Sequence, residues 1–299
     1  MIDKLEFLLA LARERHFGRA AEVCGVTQPT LSAGLKQMED MLGVRLVDRG
    51  SRFQGFTAEG ERVLDWARRI VGDSRAMREE INALKKGLSG HLRIAAIPTA
   101  LAMVAALTTP FRARHPNVNF TIVSRTSISI LTQIENLDVD VGITYTGNEP
   151  LGRVKSFPLY KEEYLLLTPR NGPMAKKQKA SWHEATQLPL CLMSPDMQNR
   201  RIIDRLLTQA GEPMAPTMES DSATALVAHV QSGGWSSIVP RQFATLFDMS
   251  NVMTLPLAEP EASQDVGIVV IERDPLTPLI AAFVSDARLL APAIAAAKG

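Results

Sequence analysis

Apolar residues recur at helical spacing in the first segment of the chain, up to about Phe56. A first helix presents one apolar face, made of Leu5, Leu8, Leu9 and Ala12. A short second helix is predicted between Gly18 and Cys24, where small residues allow a neighbouring helix to approach closely. A third helix is predicted from Gln28 to about Leu42, with Gly25 ending the second helix and Thr27 as N-cap of the third.

The third helix is amphipathic. At about 100° per residue, its core-facing arc consists of Leu31, Leu35, Met38 and Leu42. The opposite face is small, polar and basic, and includes Pro29, Thr30, Ala33, Lys36 and Gln37. Two short helices followed by such a helix are typical of a helix-turn-helix with a recognition helix. The alternative is an ordinary three-helix module whose exposed face is only solvated.

The stretch from Val44 to Thr57 predicts two short strands around a Gly-Ser turn. It carries Arg45, Arg49 and Arg52. A hairpin with arginines at its tip, next to a recognition helix, indicates a wing that reaches DNA phosphates or the minor groove. Any single arginine could instead belong to a solvated hairpin.

A long helix is predicted from Thr57 to about Gly87. Seven-residue spacing relates Val63, Ile70, Met77 and Leu84, and each is followed four residues later by Ala67, Ser74, Ile81 or Leu88. This alternation predicts a helix-helix seam, and with no second such helix in the chain it implies pairing between two copies. The alternative is an amphipathic helix that lies on its own domain.

Beyond the long helix, strand and helix patterns alternate. Strands are predicted at 90–96, 118–124, 139–144, 161–168, 187–194, 236–239 and 266–271, and helices at about 100–114, 128–135, 200–210, 222–231 and 276–290. Such alternation predicts a mostly parallel sheet built through right-handed crossovers.

Composition narrows the class of protein. The chain has 299 residues, is 45% hydrophobic, and carries 33 basic against 32 acidic side chains, so intrinsic disorder is excluded. A net charge of +1 requires that any polyanion be met by a local patch. Even residues 13–52 hold only seven basic against five acidic side chains. Any affinity for DNA must therefore come from the positions of Lys36, Arg49 and Arg52, and from two copies of this N-terminal segment binding at once.

Nothing in the sequence suggests export. Asp3, Lys4 and Glu6 occupy the place of a signal peptide's apolar core, and the uncharged stretch Ile94 to Phe111 is interrupted by prolines and threonines. The two cysteines, Cys24 and Cys191, fall in different predicted domains, which argues against a disulfide. A soluble, cytoplasmic protein with no membrane association is expected.

The first half of the chain resembles the LysR-type transcriptional regulators. The motifs are HFGRAAEV at 16–23, VTQPTLS at 26–32, FTAEG at 56–60, and Leu35, Met38-Glu39, Leu42-Gly43, Leu46 and Arg49. Val47 and Met38 replace the family's usual phenylalanine and leucine, both apolar exchanges. The remaining chain also looks like the effector domain of that family.

The resemblance implies an α/β protein with an all-α, winged N-terminal part. A winged helix-turn-helix would occupy 1–57, a coiled-coil linker helix 58–89, and a two-lobed effector domain, similar to periplasmic binding proteins, 90–299. Lobe I would comprise about 90–162 and 266–299, and lobe II about 163–265. The residues expected to contact DNA are Gln28, Pro29, Thr30, Ser32, Ala33, Lys36, Arg49 and Arg52.

Ligands of open α/β sheets bind beyond the carboxyl ends of strands, where helix N-termini favour anions. The candidate effector contacts at such places are Pro98, Thr99, Ala100, Thr126, Ser127, Thr144, Ser194 and Met197, with Arg125 as a nearby counter-charge. Thr99, Ser127 and Ser194 could equally cap helices. Trp235, in Gly233-Gly234-Trp235-Ser236 where the family usually has Gly-x-Gly, is expected near the cleft.

The favoured function is a DNA-binding transcriptional regulator controlled by a small organic anion. Its expected partners are double-stranded promoter DNA, a second copy in a homodimer or homotetramer, and RNA polymerase; no cofactor or metal is expected. An enzyme or solute-binding module is the first alternative, but the five scattered histidines form no catalytic or metal-binding set. A nucleoid-type DNA-binding protein without effector is the second.

Overall fold

The computed structural model describes residues 1–49, 53–147, 149–211, 215–258 and 262–296. The chain divides into two compact units. The first comprises residues 1–88 with the short segments 135–138 and 276–278, and the second comprises the remainder.

The first unit is a helical head with a hairpin and a long helix. Its elements are α1 (Ile2–Glu14), α2 (Phe17–Val23), α3 (Gln28–Leu42), β1 (Val47–Arg49), β2 (Phe53–Phe56) and α4 (Ala58–Lys86). β1 and β2 pair antiparallel, as the wing prediction requires. The core of the head joins α1, α2 and α3 to the first turns of α4, through side chains that include Leu8, Leu11, Leu31, Leu35, Met38 and Leu64.

One residue of the predicted inner arc of α3 is placed differently. Leu42 is 44% exposed, whereas Leu31, Leu35 and Met38 are fully buried. Leu42 is the last residue of α3, just before the left-handed Gly43, so it lies past the end of the head's core. Gly34 takes part in the inner face instead, because a β-carbon there would meet the ring of Phe7 on α1 at 2.9 Å.

The long helix α4 is anchored at its start and exposed toward its end. Thr57 caps it by accepting a hydrogen bond from the Gly60 amide at 2.9 Å. Ala67 and Val71 are buried in the head, but Met77, Ile81 and Leu84 are 60%, 48% and 80% exposed in the single chain. The apolar seam of α4 is therefore covered by its own domain only over its first turns.

Lobe I is built on parallel strands. β3 (Gly90–Ala96) pairs in parallel with both β4 (Val118–Ser124) and β5 (Val141–Tyr145). A 3-10 turn (Pro98–Ala100) and α5 (Leu101–Arg114) connect β3 to β4, and α6 (Ser127–Glu135) connects β4 to β5. Both connections begin at the carboxyl ends of the strands, at the edge where ligands of such sheets bind.

Two long strands join the lobes. β6 (Val154–Pro169) begins earlier than predicted and runs through both lobes, and β12 (Ser263–Ile271) lies between β5 and β6, antiparallel to each. In lobe II, β10 (Ser237–Pro240) and β11 (Val252–Ala258) also pair antiparallel with β6. The prediction of a mostly parallel sheet was therefore wrong, since the shared strands make the eight-stranded sheet mixed.

The other elements of lobe II include a second, two-stranded sheet. They are β7 (Ala180–Ser181), α7 (Trp182–Thr186), β8 (Cys191–Met193), α8 (Gln198–Ala210), β9 (Met218–Ser220), α9 (Ala223–Gln231) and α10 (Arg241–Ala244). The strand predicted at 187–194 is only β8, paired in parallel with β9, and α8 begins two residues earlier than predicted. The chain ends with α11 (Pro278–Ala296). Among the described residues, no helix is both long enough and apolar enough to span a bilayer.

Candidate nucleic-acid interface and effector cavity

The recognition face of α3 is exposed and fixed at its N-terminus. Gln28, Pro29, Thr30, Ala33 and Lys36 are exposed, and Ser32 is half-buried. The Thr27 hydroxyl accepts from the Thr30 amide at 3.4 Å and lies 2.9 Å from the Thr30 hydroxyl. This pairing orients Thr30 at the first turn, the part of a recognition helix that contacts base edges.

The wing is tied to α3 by a side chain that the sequence interpretation missed. One carboxylate oxygen of Glu39 accepts hydrogen bonds from the amides of Leu46 and Val47, at 2.9 and 3.2 Å. The Thr57 hydroxyl also donates to the Arg45 carbonyl at 2.7 Å. The Glu39 bonds fix where β1 begins relative to α3, and the Thr57 bond ties the backbone before β1 to the start of α4. Arg49 ends β1, its side chain is not described, and Arg52 lies outside the described residues.

A small cavity lies between the lobes of the second unit. Lobe I contributes Ile97, Pro98, Thr99, Ser127 and Tyr145 to its lining. Lobe II contributes Met193, Met197, Gln198 and Asn199. The space open to the centre of a water molecule is about 10 Å³, which is near the minimum that one water molecule needs.

Three polar side chains of this lining are buried without satisfying their hydrogen bonds. Ser127, Gln198 and Asn199 are only 4%, 3% and 5% exposed. The Ser127 hydroxyl, the Gln198 amide nitrogen and the Asn199 amide oxygen find no hydrogen-bond partner in the described part of the chain. Each such buried group costs free energy unless something pairs with it, and a polar molecule as small as water in the cavity would lower that cost.

Behind the cavity wall lies a fully buried carboxylate. Glu162 on β6 accepts hydrogen bonds from Tyr145 at 2.7 Å and from Thr99 at 3.3 Å, and Asn199 donates to the Tyr145 oxygen at 3.1 Å. Burial raises the pKa of Glu162 to about 7, although the hydroxyl groups of Tyr145, Thr99 and Tyr160 act in the opposite direction. The same burial and the Glu162 charge raise the pKa of Tyr145 well above its usual range.

The structure brings together half of the predicted effector contacts. Pro98, Thr99, Ser127 and Met197 line the small cavity. The other four do not: Ala100 is buried in the 3-10 turn, Thr126 caps α6 through the Ser129 amide, Thr144 is buried in β5, and the Ser194 hydroxyl is buried with no hydrogen-bond partner among the described residues.

A wider groove adjoins the small cavity. Pro98 and Met197 line both spaces, and the groove offers about 600 Å³ to the centre of a water molecule. Arg125 lines the groove and not the cavity, with its guanidinium donating to the Ser124 carbonyl. Trp235 was expected near the cleft but borders neither space; its ring packs at 5.9 Å against His229 in the core of lobe II.

Comparison with known protein families decides the class of the chain. Residues 2–61 match the bacterial regulatory helix-turn-helix family of LysR, and residues 85–288 match the LysR substrate-binding domain. The chain belongs to the LysR family of transcriptional regulators. The predictions of a winged helix-turn-helix and of a two-lobed α/β effector domain are thereby confirmed.

Relatives of this LysR-type regulator cover almost its whole length. It is 28% identical over 279 residues to the hydrogen peroxide-inducible genes activator of Haemophilus influenzae, covering 92% of each chain. It is 26% identical to YybE of Bacillus subtilis, an uncharacterized regulator, covering 94% and 96% of the two chains. These relatives are transcriptional regulators, as the prediction of a non-enzymatic protein requires.

Solved structures show the same architecture. A full-length OxyR variant from Pseudomonas aeruginosa superposes with a TM-score of 0.77 at 25% identity, covering 97% of this chain and 95% of the other. CbnR in complex with its target DNA gives a TM-score of 0.62 at 20% identity, covering 97% and 99%. The second match supports the fold alone.

The surroundings of the two cysteines predict that this LysR-type regulator does not respond to hydrogen peroxide. Burial raises the pKa of Cys191, whose thiol points at the Ser236 carbonyl 3.3 Å away, and burial likewise raises the pKa of Cys24. Thiols with raised pKa hold little reactive thiolate. We expect submillimolar hydrogen peroxide to leave both thiols reduced by mass spectrometry and DNA binding unchanged. Sulfenic acid at Cys191, with altered binding that Cys191→Ala abolishes, would contradict this.

Proposed function

We propose that this regulator binds promoter DNA as a multimer and that a small anionic effector, bound in the cavity between the lobes, modulates the binding. The observation that carries the effector part is that three residues lining one small cavity, Ser127, Gln198 and Asn199, each hold a buried polar atom with no hydrogen-bond partner among the described residues. Elements of both lobes line that cavity, so a bound ligand contacts both at once. A ligand that binds one arrangement of the lobes more tightly shifts the population toward it.

The DNA contacts follow from the exposed face of α3. Gln28, Pro29, Thr30, Ser32 and Ala33 lie on the first turns, where we place the contacts to base edges in the major groove. Lys36, one turn further on, is placed at a phosphate, together with Arg49 and Arg52 of the wing. Phosphate contacts supply affinity, and base contacts supply sequence preference.

The exposed end of the α4 seam favours a second copy of this chain. Ile70, Met77, Ile81 and Leu84 remain exposed along one helix face, and an apolar stripe at heptad spacing is buried by pairing with a like helix. A homodimer, or a homotetramer made of two such pairs, would present two or more heads to related half-sites. Contact with RNA polymerase at activated promoters is part of the same proposal.

Footprinting of the region upstream of the protein's own gene tests the DNA contacts. Lys36→Ala should weaken binding to all sequences, because one phosphate contact is lost. The slope of log affinity against log salt concentration should fall in magnitude by about one. Thr30→Ala should instead change the base preference of one position in each half-site. Lys179→Ala, which removes an exposed lysine of lobe II, serves as the control. A Lys36→Ala protein with unchanged affinity and salt dependence would refute the placement.

A further inference from the structure

Glu39 is the residue that joins the recognition helix to the wing. Four backbone amides that follow α3 donate to it. Its carbonyl oxygen accepts from the amides of Gly43 and of Val44, the latter at 3.2 Å. One oxygen of its carboxylate accepts from the amides of Leu46 and Val47, at 2.9 and 3.2 Å. The carbonyl bonds end the helix, and the carboxylate bonds extend its hold on the chain to the first residue of β1.

The start of α4 holds the same segment from a second side. The Thr57 hydroxyl donates to the Arg45 carbonyl at 2.7 Å, and the Thr57 amide donates to the Leu46 carbonyl at 3.0 Å. Thr57 is the N-cap of α4, so these two bonds do not involve α3. Without the Glu39 carboxylate, the base of the wing would keep its hydrogen bonds to the start of α4 and lose those to α3.

Apolar packing also holds the base of the wing, but it does so with less precision. Leu46 and Val47 are fully buried in the core of the head. Burial of apolar surface is non-directional, so it tolerates small shifts of the segment. Hydrogen bonds from amides to a carboxylate are directional and stronger than those between neutral groups. The bonds to Glu39 therefore specify the angle and the register at which the wing leaves α3.

Glu39 lies beside a cation that we place at DNA. Lys36 precedes it by three residues on α3, and residues at this spacing are neighbours on a helix surface. Lys36, Glu39 and Arg45 line one open groove on the surface of the head. Lys36 and Arg45 are both exposed. A shift of the segment that holds Arg45 therefore changes the distance between the cation of α3 and the cations that lead into the wing.

We propose that Glu39 is a positioning residue for DNA recognition, which holds the wing at the distance from α3 at which both contact one half-site. Phosphates along a duplex have a regular spacing, so a wing arginine reaches its phosphate only if this distance is correct while α3 contacts base edges. With the wing displaced, α3 keeps its base contacts and the contribution of the wing is lost. This inference rests on the proposed function, which places α3 and the wing on DNA.

Two substitutions in the full chain separate the reach of Glu39 from its charge. Glu39→Gln keeps an acceptor oxygen at the same reach, whereas Glu39→Asp keeps the charge but is one methylene shorter. Glu39→Asp should bind a promoter fragment about tenfold or more weakly, because phosphate contacts of the wing are lost. Glu39→Gln should bind as tightly as Asp40→Asn, the control that removes one charge from the exposed neighbour. Normal binding by Glu39→Asp would overturn the proposal.

Chemical footprinting distinguishes a displaced wing from a damaged head. Dimethyl sulfate methylates guanine N7 in the major groove, where α3 is placed, and hydroxyl radicals cleave at the sugars, which report the wing. All variants are compared well below their unfolding midpoints. Glu39→Asp should keep the guanine protection under α3 and lose the sugar protection beside it, and the magnitude of its salt slope should fall. Loss of both protections, or retention of both, would overturn the proposal.

A double-mutant cycle with Arg52→Ala shows whether Glu39 acts through the wing. The double variant Glu39→Asp, Arg52→Ala should bind about as tightly as Glu39→Asp alone, because both changes remove the same contact. Full additivity would overturn the proposal. Lys36→Ala keeps the two proposals apart. If Lys36→Ala weakens binding and the Glu39 variants bind normally, the DNA contacts stand and the role of Glu39 fails. If Lys36→Ala and Arg52→Ala both bind normally, the proposed DNA contacts themselves are refuted.

Discussion

Replacing Ile81 and Leu84 together by glutamate is expected to make the protein monomeric and to lower its affinity for a promoter with two half-sites by about a hundredfold or more. Both side chains are exposed in the single chain and belong to the apolar stripe of α4, so their replacement does not disturb the head's own core. Two carboxylates on each of two facing helices would meet in an apolar seam, where unpaired charge is strongly unfavourable. Loss of the second head then removes the gain from simultaneous binding.

Lys85→Glu is the matched control for this prediction. It changes the net charge by the same amount as the double substitution and lies on an exposed side of the same helix, off the seam. Analytical ultracentrifugation should show the oligomer retained in Lys85→Glu and lost in the double variant, with a single half-site bound about equally by both. An oligomer that survives the double substitution would show that α4 does not hold the copies together.

Replacing Gly60 by alanine is expected to unfold the DNA-binding head near physiological temperature. A β-carbon there would overlap the Leu46 carbonyl oxygen and would lie 2.9 Å from its carbonyl carbon. That carbonyl also accepts from the Thr57 amide at 3.0 Å, so the start of α4 and the backbone before β1 are in direct contact. Separating two backbone segments costs about 3 kcal/mol, at the upper end for overpacking, out of a total stability of about 5–15 kcal/mol.

The measurement is thermal unfolding of the full chain. Circular dichroism and DNA binding monitor the transition of the head, residues 1–88. A loss of about 3 kcal/mol corresponds to roughly 15 °C in the midpoint of the head's transition. Glu61→Ala, the exposed neighbour on the same helical turn, should leave the midpoint within a few degrees. If Gly60→Ala unfolds at the same temperature as Glu61→Ala, the close approach of Leu46 to α4 does not exist in solution.

The fold of the head was predictable because its pattern is local. Thr27 and Gly43 mark both ends of α3, and the apolar residues Leu31, Leu35 and Met38 repeat at helical spacing over one short segment. Leu42 was misplaced because periodicity shows which face a residue occupies but not where the neighbouring elements stop. The mixed sheet was missed for a related reason: β12 reaches its neighbours from far along the chain, and no local pattern shows strand direction.

The cavity was only half predictable. Pro98, Thr99 and Ser127 follow strands and begin helices, which is a rule that the sequence can reveal. Gln198 and Asn199 were missed because the sequence predicts that this helix begins only at about residue 200. The polar residues before that point resemble a solvated loop. Glu162 did leave a signal: it shares strand parity with Tyr160, Tyr164 and Leu166, all buried, so the alternation places a carboxylate on the inner face of β6.

The position of β12 in the sheet has a consequence for the order in which the chain matures on the ribosome. The fully buried residues of the head's core lie between Leu5 and Val71, so this head is complete in the growing chain long before the rest. The sheet of the second unit closes only when Ser263–Ile271 emerges to fill the place between β5 and β6. A nascent or prematurely ended chain therefore carries a folded DNA-binding head before the second unit has completed its sheet.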